Sequence, residues 1–393
     1  MIVGAGVAGA RTAAALRERG WTGRLTLLGD DPHPPYDRPP LSKDVLLGKT
    51  DTTAFDIDWA ALDVELLPGR RALRLDSAEQ SVRTDAGAVH YDRLVVATGA
   101  SALELPGIAG VPGVHLLRTL DDALTLRGVL RPGARIVVVG AGWIGAETAT
   151  AARLQGCEVT VVEAAPEPLA GALPSELGRL TRDWYAAAGV ELRTAAPVAA
   201  VETGAVHLAD GTRLDADAIV VGVGARPATG WLRGSGITLG TRGAVLVDDR
   251  LRSTLPGVHA VGDCASFPSG RYGVRLAVQH WDNALHGADT VAADLLDLDT
   301  PPYDPVPYFW SEQFGRMVQY VGHHPAADRL LWRGSPQDAR WTVLWLRGDT
   351  LVALLAVDRP RDLTQGRRLI GRATPLDPAV AADPATPLKS AAR

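Results

Sequence analysis

Two segments of the chain show the same order of apolar and small residues. Met1–Ala15 begins with a short apolar run, turns through Gly-Ala-Gly-Val-Ala-Gly and continues in small residues that suit a helix. Arg135–Ala152 repeats this order with Ile-Val-Val-Val, Gly-Ala-Gly-Trp-Ile-Gly and a run of Ala and Thr. A second β-rich run follows each segment, at Leu25–Leu28 and Glu158–Val162. The pattern predicts two βαβ units of similar design.

Three further apolar runs end directly in Gly or Thr-Gly, and they are Leu94–Ala97, Ile219–Val221 and Val258–Val261. Their unbroken apolar character is typical of strands that are buried on both faces of a parallel sheet. We therefore predict an α/β fold in which helices cover the sheets.

The pattern of apolar runs and glycines changes at the proline-rich stretch Pro301–Pro307. Beyond it lie two strand-like segments and one helical segment, at Trp341–Leu346, Thr350–Val357 and Asp362–Ile370. We predict a smaller α+β domain from Tyr303 to Arg393. Its tail is rich in Ala and Pro from about Ala373, and we expect that tail to be poorly ordered.

Composition narrows the class of protein. The 393 residues carry a formal net charge of −5, so no basic character points to nucleic acid. No run of apolar residues is long enough to span a membrane, and no basic region precedes the apolar start, as a signal peptide would require. The two cysteines, Cys157 and Cys264, lie far apart, which suits a reducing cytoplasm and excludes a disulfide framework. Both are interpreted as buried small apolar residues.

The first glycine motif is Gly4-x-Gly6-x-x-Gly9, and the acidic Asp30 follows the next strand. Its glycines permit a tight turn, close approach of a pyrophosphate and close packing of helix on strand, while the acidic residue suits an adenosine ribose. The alternative is a tight strand–helix turn without a ligand. The run before Gly4 has only three residues, so either this strand is short or the natural start lies upstream.

The second glycine motif is Gly140-x-Gly142-x-x-Gly145, with Glu163 at the end of the next strand. A carboxylate there favours a free ribose 2′-hydroxyl and repels a 2′-phosphate. No Arg or Lys occurs from Ala164 to Gly178 to hold such a phosphate. We therefore expect NADH to be preferred to NADPH. The alternative for Glu163 is a solvated charge at the end of a strand.

Several longer motifs resemble those of flavoproteins that bind two dinucleotides, namely Ala97–Gly99, Val221–Pro227 and the run from Thr254 to Gly262-Asp263. Four others are closer to one family and are Tyr36–Lys43, Leu117–Ala123, Val278–Ala284 and Pro307–Gln313. By composition alone, Tyr36–Lys43 could be a rigid surface loop. Together, these motifs make the chain, from Met1 to about Ile370, resemble the FAD-dependent NAD(P)H:ferredoxin reductases that serve bacterial oxygenases, within the pyridine nucleotide-disulfide oxidoreductase superfamily.

The resemblance implies two Rossmann-like domains, for FAD and NAD, and a small α+β C-terminal domain. The implied limits are 1–107 and 227–302 for the two halves of the FAD domain, 108–226 for the NAD domain, and 303–393 for the C-terminal reductase domain. Residues expected to contact FAD are Gly4, Gly6, Ala8, Gly9, Asp30, Arg38, Lys43, Ala72, Thr98, Gly99, Arg118, Gly262, Asp263, Trp281 and Trp310. Those expected to contact NAD are Gly140, Gly142, Ile144, Gly145, Glu147, Glu163 and Gly222.

The resemblance also implies catalytic roles for Lys43 and Glu147, as a pair near the flavin ring and the nicotinamide. Trp310 is implied on the side where electrons leave. The chain departs from many relatives in lacking a basic residue near Gly171, which bears on how the NAD adenosine is held.

The two distant cysteines argue against the disulfide reductases, which use a close cysteine pair, and against relatives with one reactive cysteine early in the FAD domain. The expected function is transfer of electrons from NADH through FAD to a two-iron ferredoxin that feeds an oxygenase. Alternatives are a rubredoxin reductase, an NADH oxidase, or a redox-sensing interaction protein resembling apoptosis-inducing factor. We expect a cytoplasmic monomer or homodimer that binds no metal, because the histidines show no metal-ligand spacing, and no nucleic acid or membrane.

Overall fold

The computed structural model describes all residues, 1–393. The strands in chain order are β1 Ile2–Val3, β2 Thr26–Leu28, β3 Glu65–Leu67, β4 Ala72–Asp76, β5 Ser81–Thr84, β6 Gly87–His90, β7 Leu94–Val96, β8 Ala100–Ala102, β9 Val114–His115, β10 Arg135–Val139, β11 Glu158–Val162, β12 Glu191–Arg193, β13 Val198–Glu202, β14 Ala205–Leu208, β15 Arg213–Asp215, β16 Ala218–Val221, β17 Ala225–Pro227, β18 Val245–Leu246, β19 Val258–Ala260, β20 Ala265–Ser269, β21 Val274–Leu276, β22 Tyr308–Gln313, β23 Arg316–Gly322, β24 Arg329–Arg333, β25 Trp341–Arg347 and β26 Thr350–Val357. The helices are α1 Val7–Glu18, α2 Leu120–Arg127, α3 Trp143–Leu154, α4 Ser175–Leu180, α5 Arg182–Ala187, α6 Trp281–Leu295, α7 Pro360–Arg372 and α8 Pro378–Ala382.

Two five-stranded parallel sheets form the α/β part of the fold, as the apolar runs predicted. The first has the order β19-β7-β1-β2-β3 and so combines strands from both ends of the α/β region. The second has the order β12-β11-β10-β16-β9. The antiparallel pair β8–β17 lies where the chain passes between the two sheets. The exact limits at residues 107, 226 and 302 stay predictions.

Helix α1 lies against the first sheet and packs on α6. Its buried face consists mostly of small residues, including Ala8, Ala13 and Ala15, which allow a close approach. On α6, a Cβ at Gly287 would lie only 2.8 Å from Cγ2 of Val261. This close packing places the start of α6 beside the turn that follows β19, and both lie at the carboxyl ends of the first sheet's strands, where α/β proteins bind ligands.

The C-terminal region is an antiparallel sheet with the order β22-β23-β26-β25-β24, and α7 packs against β26. The predicted α+β character is therefore confirmed. The predicted helix extends further in both directions than its apolar pattern indicated, because Pro360 suits its first turn and Ala373 ends it in the left-handed conformation.

The expectation of a poorly ordered tail is wrong. Four of its apolar residues, Leu376, Ala381, Leu388 and Ala391, are buried in the C-terminal core. The buried guanidinium of Arg333 donates hydrogen bonds to the carbonyls of Ala381, Asp383 and Thr386. The tail is thus held by isolated apolar anchors and by a cation from β24, and neither produces a periodic pattern in the sequence.

None of the eight helices combines the length and apolar composition needed to cross a membrane.

Candidate active site

A single deep cleft of about 1790 Å³ runs between the two parallel sheets and reaches the first strand of the C-terminal sheet. Typical small-molecule pockets have volumes of roughly 300–1,000 Å³, so this cleft has room for more than one such ligand. Every residue expected to contact FAD or NAD lines this cleft except Gly9 and Gly145. Those two glycines lie one helical turn behind it.

The first glycine turn has the geometry of a pyrophosphate cradle. Gly4 has a φ of +111°, and a Cβ there would lie 2.2 Å from the carbonyl oxygen of Ala97. A Cβ on Gly9 would lie 1.9 Å from the carbonyl oxygen of Gly4, so Gly9 serves the packing of α1 on the turn. Gly6 is the N-cap of α1, faces open space and leaves the first N–H groups without a side-chain cap. These N–H groups are suited to an anionic phosphate.

The second glycine turn repeats this arrangement on the second sheet. A Cβ at Gly140 would lie 2.5 Å from the carbonyl oxygen of Gly222, and one at Gly145 would lie 2.0 Å from that of Gly140. Gly142 faces open space at the N-terminus of α3. Glu163 accepts 2.8 Å hydrogen bonds from the backbone N–H groups of Ala141 and Ala165. The structure therefore fixes this carboxylate beside the turn, rather than leaving it as a freely solvated charge.

A buried ion pair lies between the two turns. Lys43 Nζ lies 2.7 Å from Oε2 of Glu147, whose side chain is 4% exposed. The hydroxyl of Ser42 donates to the same oxygen at 2.5 Å, and that of Ser311 donates to Oε1 at 2.7 Å. The pair predicted for Lys43 and Glu147 is formed, and it lies where the segment after β2, helix α3 and strand β22 meet.

The wall beside the first turn holds polar atoms that have no partner within the protein. Arg118 Nη2 lies 3.3 Å from Oδ2 of Asp263. Buried and without a hydrogen bond are Nε of Arg38, Nε of Arg118, Oγ1 of Thr98 and Nδ1 of His280. Buried polar groups in proteins are nearly always satisfied, so these atoms indicate a polar ligand. Together with the open space at Gly6, they fit the phosphates, ribityl chain and ring edge of FAD.

Aromatic side chains close the cleft on the side of the C-terminal sheet. Trp281 donates from Nε1 to Oδ1 of Asp37 at 2.7 Å, and its ring meets that of Trp310 edge-on with centroids 6.1 Å apart. Tyr308 stacks on Trp310 with ring centroids 6.0 Å apart. Half-buried His280 lies against Phe309, and burial lowers the pKa of its imidazole to about 4. This wall is therefore aromatic and carries a neutral histidine near neutral pH.

Comparison with known proteins identifies the family. The family model described as pyridine nucleotide-disulphide oxidoreductase matches residues 1–288, and the model described as reductase C-terminal matches residues 308–392. Rhodocoxin reductase of Rhodococcus erythropolis is 36% identical over 100% of this chain and 93% of its own length. Putidaredoxin reductase of Pseudomonas putida is 33% identical over 99% of this chain and 95% of its own length. The chain belongs to the ferredoxin reductases of the pyridine nucleotide-disulphide oxidoreductase family.

The fold of these ferredoxin reductases matches over the whole chain. The crystal structure of a covalent putidaredoxin reductase–putidaredoxin complex aligns with a TM-score of 0.94 at 32% identity, covering 99% of this chain and 96% of that one.

Neither cysteine of this ferredoxin reductase lines the cleft. Both are buried and free of disulfide bonds. Burial raises the pKa of the Cys264 thiol to about 11, and its Sγ lies 3.3 Å from the carbonyl oxygen of Val261. A thiol needs to ionise to act as a nucleophile, so Cys264 is unsuited to redox chemistry near neutral pH.

Four residues of the site escaped the sequence analysis, and they are Asp37, Ser42, His280 and Ser311. Each lies inside a motif that the sequence analysis quoted, so the motif itself was the only signal. Their partners are more than one hundred positions away in the case of Ser42, Ser311 and Asp37, for example 105 positions from Ser42 to Glu147. Sequence spacing carries no information on such pairs.

Proposed function

We propose that this protein is an NADH-dependent ferredoxin reductase that passes electrons from NADH, through FAD, to a two-iron ferredoxin supplying a bacterial oxygenase. The observation that carries the proposal is one cleft that holds two glycine turns, with the Lys43–Glu147 pair between them. Relatives named rhodocoxin reductase and putidaredoxin reductase support the choice of an iron–sulfur protein as acceptor. We also place the protein in the cytoplasm, where its two unpaired cysteines suit a reducing compartment.

The residues of the first half of the cleft hold FAD. Gly6 and the uncapped start of α1 bind its pyrophosphate, and Asp30 accepts hydrogen bonds from its adenosine ribose. Asp263, oriented by Arg118, accepts from the ribityl chain. Bound FAD supplies the conversion between hydride chemistry and one-electron transfer.

The residues of the second half hold NADH. The start of α3 at Gly142 binds its pyrophosphate, and Glu163 accepts hydrogen bonds from the adenosine ribose. The fixed negative charge of Glu163 disfavours a 2′-phosphate, so NADH is the preferred donor. Glu147 positions Lys43, whose positive charge at the wall of the cleft would favour negative charge on a bound flavin. No side chain is required as a nucleophile, and no thiol lies on the route.

Trp310 marks the exit for electrons. It lies at the end of the cleft against Trp281, on the first strand of the C-terminal sheet. A ferredoxin that docks there reaches the cleft through an aromatic wall rather than through a disulfide.

The test is turnover of the purified yellow holoenzyme with NADH and one acceptor at a time. A two-iron ferredoxin, rubredoxin and cytochrome c are tested without oxygen, and oxygen is tested separately in aerated buffer. We expect ferredoxin to be reduced with the highest kcat/KM. A higher kcat/KM for rubredoxin or oxygen would show that ferredoxin is not the preferred acceptor. Reduction of the flavin by NADH without efficient turnover of any acceptor would favour a redox-sensing interaction protein.

A further inference from the structure

The carboxylate of Glu147 is shared by three parts of the chain. It projects from α3 and accepts hydrogen bonds from Ser42 and Lys43, at the end of the short turn Pro39–Ser42, and from Ser311 on strand β22. An ionised carboxylate only accepts hydrogen bonds, and all three partners are donors. Both carboxylate oxygens of Glu147 are therefore held by donors from other parts of the chain.

Ser311 has a second polar neighbour on its own strand. Ser311 and Gln313 are both fully buried, and as residues two apart on β22 they point to the same face. Gln313 Nε2 lies 3.4 Å from Oγ of Ser311 and can only donate. The hydroxyl of Ser311 gives its proton to Oε1 of Glu147, because an ionised carboxylate only accepts, and it is within reach of the Gln313 amide as well.

The position of Ser311 is also fixed by the backbone. The N–H of Phe314 donates to Oγ1 of Thr150 at 3.0 Å. Thr150 follows Glu147 by three residues and so lies on the same face of α3. Strand β22 and the residue that follows it are thus attached to α3 at two neighbouring points, which leaves Ser311 little freedom to move away from Glu147.

From this geometry we infer that Ser311 is a positioning residue for flavin reduction. Acting through Glu147, it keeps the carboxylate oriented so that Lys43 stays at the wall of the cleft. Ser311 belongs to the C-terminal sheet, so that sheet helps to build the hydride-accepting site as well as the electron exit. This inference rests on the proposed function.

The experiment measures anaerobic reduction of the bound flavin by NADH in rapid mixing, with the wild-type holoenzyme and Ser311→Ala. We expect the limiting rate to fall by roughly tenfold or more, as for other losses of orientation. The dissociation constant for NAD⁺, measured by titration of the oxidised flavin spectrum, should change by less than about threefold, because Gly142 and Glu163 are untouched. Ser311→Thr keeps the hydroxyl and should recover most of the rate.

The matched control is Ser269→Ala, which also removes a buried hydroxyl bonded to a carboxylate, that of Asp304 at 2.5 Å, but lies outside the cleft. It should reduce its flavin at the wild-type rate. In a Glu147→Gln background, Ser311→Ala should cost much less than in the wild type, since the two residues act in series.

Wild-type rates in Ser311→Ala would overturn the inference, as would an equal loss in the Glu147→Gln background or in Ser269→Ala. A wild-type enzyme whose flavin NADH cannot reduce would instead reject the proposed function itself. Thermal unfolding of each variant identifies any that has failed to fold. If Ser311→Ala fails to fold, the rate of flavin reduction is compared instead between Ser311→Thr and the double variant Glu147→Gln, Ser311→Thr.

Discussion

Asp37 and Trp281 are joined by a hydrogen bond of 2.7 Å across 244 positions of sequence. The indole Nε1 donates, and Oδ1 of the carboxylate accepts. The bond ties the first residue of α6 to the segment that carries Lys43, and Trp281 in turn meets Trp310 edge-on. Burial raises the pKa of Asp37, and its hydrogen bond from Trp281 opposes that rise. The aromatic wall that we propose as the electron exit is therefore held to the segment before Lys43.

Replacing Asp37 by Ala should lower the free energy of unfolding by about 1–3 kcal/mol, because the half-buried indole loses its acceptor. Urea unfolding of the holoenzyme, followed by flavin fluorescence and circular dichroism, measures the change. Asp37→Asn keeps an acceptor oxygen of the same shape and serves as the control, with a clearly smaller loss. Equal stability of Asp37→Ala and the wild type would show that this bond adds nothing.

Replacing His280 by Gln should reduce the loss of stability on acidification. Burial lowers the pKa of His280 to about 4 from an ordinary 6.5, so between these values the unfolded chain binds a proton that the folded chain does not. The free energy of unfolding is therefore unaffected by His280 above pH 6.5. It falls by up to roughly 3 kcal/mol as the pH drops toward 4, because the unfolded chain takes up the proton first. Thermal midpoints of the holoenzyme at pH 7 and pH 5 measure it. His286→Gln is the control, because His286 lies nearby on α6 and is more exposed. If His280→Gln and the wild type lose the same stability between these pH values, the assignment to His280 fails.

Replacing Asp263 by Ala should weaken FAD binding. Its carboxylate lies beside Arg118 in the cleft, and its loss leaves a buried ribityl hydroxyl without an acceptor, which costs about 1–3 kcal/mol. That corresponds to a dissociation constant roughly five to a hundred and fifty times higher. Titration of the flavin-free protein with FAD measures it, and Asp263→Asn should fall between Ala and the wild type. Full flavin occupancy in dilute Asp263→Ala would reject the role of Asp263.

The ratio of kcat/KM for NADH to kcat/KM for NADPH should fall when Glu163→Ser is combined with Gly171→Arg. Gly171 lines the cleft, and a Cβ there meets nothing within 4 Å, so the new side chain has room. The change removes a like charge and adds an opposite one beside a 2′-phosphate, so the ratio of kcat/KM values should shift by roughly tenfold or more. The structure adds one consequence, a loss of stability, because Ser cannot replace both bonds of Glu163 to Ala141 and Ala165.

The single variant Gly171→Ala is the control and should keep the wild-type ratio. Equal kcat/KM for NADH and NADPH in the unaltered enzyme would refute the role given to Glu163. An unchanged ratio in the double variant would place the discrimination elsewhere in the cleft.

The parts of the site that sequence predicted are those with a local backbone cause. The turns at Gly4 and Gly140 need a positive φ and tolerate no Cβ, so their glycines appear at fixed spacing. The Lys43–Glu147 pair came from family resemblance. The bonds of Ser311 to Glu147 and of Arg333 to the tail join distant segments through single side chains. These bonds depend on how the folded sheets and helices pack on one another, and the periodicity of apolar residues in the sequence does not encode that packing.

Both cysteines should be dispensable for electron transfer. Cys157 and Cys264 are fully buried and lie in different core clusters, and burial raises the pKa of each thiol. Their Sγ atoms contact backbone carbonyls, of Arg131 for Cys157 and of Val96 and Val261 for Cys264. Since no thiol lines the cleft, the double variant Cys157→Ala, Cys264→Ala should reduce ferredoxin with NADH within a few-fold of the wild-type rate. Steady-state turnover, normalised to flavin content, measures this.

Redox titration is an independent test of the same prediction, because it measures the number of electrons taken up per flavin and not a rate. Anaerobic titration of the wild-type holoenzyme with NADH should consume one electron pair per flavin, and the double variant should give the same endpoint. A second pair taken up only by the wild type would reveal a redox-active disulfide. A double variant whose flavin is reduced normally but cannot pass electrons on would carry the same meaning. A few-fold loss that follows flavin content and thermal midpoint instead reflects packing, because removing each buried sulfur leaves a small cavity that costs about 1 kcal/mol.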